Sequence, residues 1–86
     1  MATWLKANGE TETGIIDVGL KELQRMVGGF IEIVRTNDDR VMVLNEEGKL
    51  YGLPFNERAT ALTRGVVADD DLIVGDVVIC TDKEID

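Results

Sequence analysis

A chain of 86 residues with 17 acidic and 9 basic side chains is too short for more than one domain, and its formal charge of −8 excludes unassisted binding to a polyanionic nucleic-acid backbone. With 44% apolar and 30% charged residues it is globular rather than disordered. The single cysteine excludes an internal disulfide, and no apolar run reaches the length of a signal-peptide core or a membrane span, so the expectation is a soluble cytoplasmic domain with no membrane partner.

Residues 3–7 (TWLKA) read as a short strand. Asn8-Gly9 then supplies the two positive-φ positions of a type I′ hairpin turn, and the return strand runs over 11–17. On that strand Thr11, Glu12 and Thr13 belong outside, Ile15 and Ile16 inside. Leu20, Leu23 and Val27 recur at i, i+3 and i+7, which predicts a helix over 19–27 with Met26 at the margin of its buried stripe. Gly28-Gly29 stops it, because glycine takes the left-handed conformation without a Cβ clash.

Residues 30–35 (FIEIVR) alternate as a strand, with Phe30, Glu32 and Val34 on one face and Ile31, Ile33 and Arg35 on the other. Asn37-Asp38-Asp39 is a turn and 40–44 (RVMVL) the next strand. Asn45-Glu46-Glu47-Gly48 turns again, with glycine at a left-handed position, and 49–53 (KLYGL) returns to complete a meander. Pro54 ends the ladder. Asn56 caps a short helix over 57–63, with Ala59 and Leu62 facing inward and Gly65 at its end. Asp69-Asp70-Asp71 is a loop, and 72–80 (LIVGDVVIC) is a long apolar strand, central in the sheet. Gly75 within it marks a bulge or a close backbone approach. Residues 81–86 are a charged tail expected to fray. The fold class is α+β: a small single domain with an N-terminal β-hairpin, one short helix, an antiparallel β-meander, a second short helix and a C-terminal central strand.

No constellation for catalysis emerges. Histidine and serine are both absent, and Cys80, at a buried strand end with no base to activate it, reads as a small hydrophobe. Consecutive aspartates at 69–71, with Asp76, lack the alternating spacing and glycine of a calcium loop. Gly28-Gly29 follows a helix instead of joining a strand to one, so it is no phosphate cradle. The expectation is a protein that is not an enzyme and uses no metal or cofactor.

Two features do invite a binding role. Glu32 is an acid between apolar neighbours on its own face, which calls for a cation, solvent or a ligand unless the strand lies at an edge. The stretch 45–60 (NEEGKLYGLPFNERAT) concentrates Asn45, Lys49, Asn56, Arg58 and Thr60 in a connection carried by strands, where binding residues gather. An asparagine-capped helix start beside Arg58 can hold an anion; the alternative is that these residues only make turns and a cap.

The segments VGGFIEIV (27–34), NEEGKLYGLPFNERATAL (45–62) and IVGDVVIC (73–80) together resemble a family of small proteins of unknown function found in bacteriophages, plasmids and mobile elements. By that resemblance Gly28, Gly29, Glu32, Asn45, Gly48, Leu53, Pro54, Asn56, Ala59, Thr60, Gly75 and Asp76 fall on family motif positions. It implies a context, an accessory role in a host cell, and no mechanism. The leading reading is a non-catalytic acidic protein that binds a host protein, itself basic or nucleic-acid-binding. The alternatives are a binder of a nucleotide-like small molecule through Glu32, Asn45, Lys49, Asn56, Arg58 and Thr60, and a structural module that forms a homodimer by pairing strand edges over 72–80.

Overall fold

The computed structural model describes residues 1–15, 18–67 and 71–85. Its strands are β1 (Ala2–Leu5), β2 (Thr11–Ile15), β3 (Ile31–Arg35), β4 (Val41–Asn45) and β5 (Val77–Cys80), and its helices α1 (Leu20–Val27), α2 (Glu57–Leu62) and α3 (Asp82–Ile85). The strands form one antiparallel sheet in the order β2-β1-β5-β4-β3. This is the expected α+β domain, with the C-terminal strand at the centre.

The layering follows from which segments are apolar on both faces. Every residue of β4 and of β5 is buried, so these strands need cover above and below. On one face, Leu23, Met26 and Val27 of α1 pack on Val41, Val43, Val78 and Cys80. On the other, Ala59 and Leu62 of α2, with Ile73, pack on Leu5, Met42, Leu44, Val77 and Ile79. Each fully buried Val, Leu or Met contributes about 1.5–3 kcal/mol relative to exposure, so these two thin layers carry the stability of the domain.

Several local expectations change. The first hairpin closes with Gly9 N–H on Lys6 O and Lys6 N–H on Glu10 O, with Gly9 alone at positive φ. That is a type I turn with a glycine bulge, not a type I′ pair at Asn8-Gly9. Residues 36–40 repeat the pattern, with Asp39 at φ 65 in the glycine position. In α1 the buried stripe is Leu23, Met26 and Val27, while Leu20 is exposed. The helix stops as expected, on Gly28 at φ 83.

Residues 49–53 are not a strand. Gly48, Tyr51, Gly52 and Leu53 donate their amides to carbonyls only a turn away, and Gly52 sits at φ 67. β4 has no edge left for them, because β3 and β5 occupy both. The third strand of the antiparallel run is therefore β5. The apolar stretch 72–80 is divided at Gly75, φ 80, so only Val77–Cys80 is ladder. Gly48 is not left-handed; a Cβ there would stand 3.0 Å from Val74 Cγ2, so the glycine allows close packing against Val74. The charged tail holds the helical turn α3, tied back by an ion pair from Asp82 to Arg35 on β3 at 2.9 Å. Ile16, Asp17, Asp69, Asp70 and Asp86 lie outside the described residues.

Candidate functional site

Asn56, Thr60 and Asn45 are occupied within the fold. Asn56 is 1% exposed: its Nδ2 donates to Leu5 O at 3.0 Å and Gly75 O at 2.9 Å, and its Oδ1 caps α2 by accepting from Ala59 N at 3.1 Å. Thr60 Oγ1 donates to Asn56 O and accepts from Ile73 N, each at 2.9 Å. Arg58 leans away to the first hairpin, donating to Thr11 Oγ1 at 2.6 Å. Of the amides at the start of α2, that of Ala59 is capped by the Asn56 side chain, and Asn56 with Thr60 forms a structural joint between β1, α2 and the 73–75 segment, with the Arg58 side chain turned away from it. Asn45, likewise buried, donates to Val27 O at 3.2 Å and accepts from Glu47 N at 2.8 Å, tying the end of α1 to the turn after β4. Gly29 belongs to the same joint, since a Cβ there would stand 3.0 Å from Asn45 Nδ2.

Glu32 and Lys49 have a different setting. β3 is an edge strand, and Glu32 stands exposed on its α2-side face opposite Leu44. With the turn 46–50 it borders a groove of about 390 Å³ whose floor is Val34, Leu44, Ile73 and Val74. Lys49 and Asp71 face each other across it as an ion pair, both well exposed. Arg35, at the far end of β3, is held by Asp82 and Asp39, and the Asp82 hydrogen bond raises its pKa further. Glu32, Glu46 and Glu47, by contrast, have no cation within ion-pair distance among the described residues. The groove thus pairs an apolar floor with a rim of uncompensated negative charge.

Glu46 and Glu47 went unrecognised as site residues because they look like ordinary turn residues. The signal was available in the pairing: once β3 and β4 are aligned, Glu46 falls opposite Phe30, two steps from Glu32, and its N–H bonds Phe30 O at 2.9 Å. A second, shallower groove of about 300 Å³ lies behind that turn, where exposed Phe30 and Tyr51 flank Gly28 and Gly29.

Cys80 is 2% exposed, and burial, reinforced by nearby Glu84 and Asp82, pushes its thiol pKa up. Among the described residues no group of Cys, Asp or Glu is arranged to hold a metal ion, and no helix is long and apolar enough to cross a membrane.

Comparison with curated proteins and with solved structures finds no match. One protein family does match, over residues 2–86, nearly the whole chain, and its description assigns no activity. The chain, with its two-faced sheet and acid-rimmed groove, belongs to that family, the domain of unknown function DUF3846.

Proposed function

We propose that this domain is a non-catalytic binding protein whose acid-rimmed groove receives a basic protein, in keeping with an accessory role of the phage or plasmid type in a host cytoplasm. The observation that carries this reading is the asymmetry of charge at the groove. Its cation, Lys49, is already neutralised by Asp71, while Glu32, Glu46 and Glu47 stand without one among the described residues. Such a surface attracts basic partners over a Debye length, about 8 Å at physiological salt, and repels nucleic acid and phosphate groups.

The test is affinity capture from bacterial lysate with the wild-type domain beside an E32Q/E46Q/E47Q variant. A basic protein retained by the wild type and released by the variant is the expected result. Identical captured proteins on both would refute the reading.

A second reading, a small-molecule site, draws on the groove volume, which lies within the roughly 300–1,000 Å³ of ligand pockets. A nucleotide is the wrong charge for it, and the side chains the sequence had grouped for that purpose do not converge: Asn56, Thr60 and Arg58 belong to the joint at β1 and the first hairpin. A thermal shift with a nucleotide panel, absent on this account, would discriminate.

A further inference from the structure

The two edges of the sheet are built differently. β2 pairs with β1 across a register shift between Ala2 and Trp4, and it carries Gly14 at φ 81, so its row of backbone groups is bent. β3 is regular, paired in step with β4 from Ile31 opposite Asn45 to Arg35 opposite Val41. Just beyond its ends, Phe30 O accepts from Glu46 N and Thr36 N donates to Arg40 O. Antiparallel bonding alternates, so Glu32 and Val34 direct their N–H and C=O groups toward β4, whereas Ile31, Ile33 and Arg35 direct theirs outward. No described residue bonds those outward groups.

Natural edge strands are blunted by bulges, proline, charged side chains or short length; β3 has no bulge, proline or lysine, and its charges are Glu32 and Arg35. Ile33, at its midpoint, is 51% exposed, Arg35 is drawn back to Asp82, and Glu32 stands on the groove face, where it favours a basic strand over an acidic one. The open edge also runs along the acid-rimmed groove, since Glu32 and Val34 belong to both.

We propose that β3 is a strand-addition site, and that its occupant is an extended segment of a basic partner in which apolar and basic residues alternate. The proposal rests on the basic-partner reading and specifies how that partner is held. An added antiparallel strand takes the outward groups of Ile31, Ile33 and Arg35, and its side chains fall alternately on the two faces of the sheet. Those on the Ile33 face cover that isoleucine and are apolar. Those on the Glu32 face overlie the groove, where the Glu32, Glu46 and Glu47 carboxylates select Lys or Arg. A second copy of this chain is disfavoured as occupant, because it would bring another Glu32 and the net charge of a whole acidic domain to the same negative surface.

The experiment uses a labelled peptide of alternating valine and lysine, a peptide of the same composition in two blocks, and the alternating peptide N-methylated at its valines, whose amides are the ones that face β3. Binding is measured by fluorescence anisotropy to the wild type, to I33P and to E32Q/E46Q/E47Q, with amide hydrogen exchange of the wild-type complex. Ile33 N–H makes no bond to β4, so proline there removes an edge donor and leaves the β3–β4 ladder paired. The alternating peptide is expected to bind about tenfold or more tightly than the block or methylated peptides, to lose that advantage on I33P, and to slow exchange at Ile31, Ile33 and Arg35. Should the methylated and block peptides bind the wild type equally well while the Gln variant weakens all of them, strand addition is wrong and the acidic groove stands. Binding by none of the peptides, or binding indifferent to the carboxylates, overturns both. Concentration-dependent protection of the same amides without peptide would assign the edge to a second copy and overturn the proposal.

Discussion

Asn56 joins β1, α2 and the 73–75 segment through one side-chain amide. Replacing it by alanine strands the Leu5 and Gly75 carbonyls and the Ala59 N–H in the interior, where each unmet group costs about 1–3 kcal/mol before relaxation. Asn56→Ala is expected to lower stability by about 2–4 kcal/mol in urea unfolding followed by Trp4 fluorescence, whereas Arg58→Ala, at an exposed site two residues on, changes it by less than about 1 kcal/mol. Only half of this role was legible in the sequence. An asparagine ahead of ERAT reads as a cap, but its bonds to Leu5 and Gly75, 51 and 19 residues away, depend on the finished fold. Glu32 was ambiguous for the same reason, since its strand alternation does not say whether that strand lies at an edge.

At the same scale, Asp38 carries a pH signature. Hydrogen bonds from Arg40 first, and Thr36 second, hold its pKa at about 2, below the ordinary 3.8. A lowered folded-state pKa stabilises the fold above the unfolded value, and the increment is lost as pH falls from about 4 through about 2. Arg40→Gln is expected to flatten that part of the stability–pH curve, with little change in its shape at neutral pH; an unchanged acid limb would contradict the assignment.

At the scale of elements, periodicity identified the helices and most strands but not their competition for neighbours. KLYGL alternates like a strand, yet β5 is more apolar and takes the β4 edge, so the segment folds into local turns instead. In α1, Leu20 and Met26 flank Leu23 by about 60° on opposite sides and Val27 lies on the Leu20 side, so spacing favours Leu20, whereas the position of the sheet selects Met26. Gly75 was legible as a special position, and the reason is now specific: φ is 80, and a Cβ would stand 2.8 Å from Leu53 Cδ1. Gly75→Ala is therefore expected to cost about 2–4 kcal/mol from backbone strain and overpacking together. Leu53→Ala in the same chain should return part of that loss, so the two changes are non-additive by about 1 kcal/mol in a double-mutant cycle. Additive values would mean that the crowding at Leu53 is relieved at no cost.

At the scale of the whole molecule, sheet order decides what the surface can do. The sequence suggested a dimer formed through the apolar 72–80 strand; β5 lies at the centre with β1 on one side and β4 on the other, so that route is closed. The net charge of −8 was readable from composition, but its distribution was not. Folding pairs Arg35, Arg40 and Lys49 with aspartates and leaves Glu32, Glu46 and Glu47 together at one groove. The central claim is that this groove is the binding surface. It is tested most directly by titrating the isotope-labelled domain with a lysine-rich peptide and following backbone amide shifts by NMR. The account predicts shifts concentrated at Glu32, Glu46 and Glu47 and their neighbours, fading as salt approaches about 1 M, where screening acts within about 3 Å. Shifts spread evenly over the acidic surface, and equal in the E32Q/E46Q/E47Q variant, would contradict it.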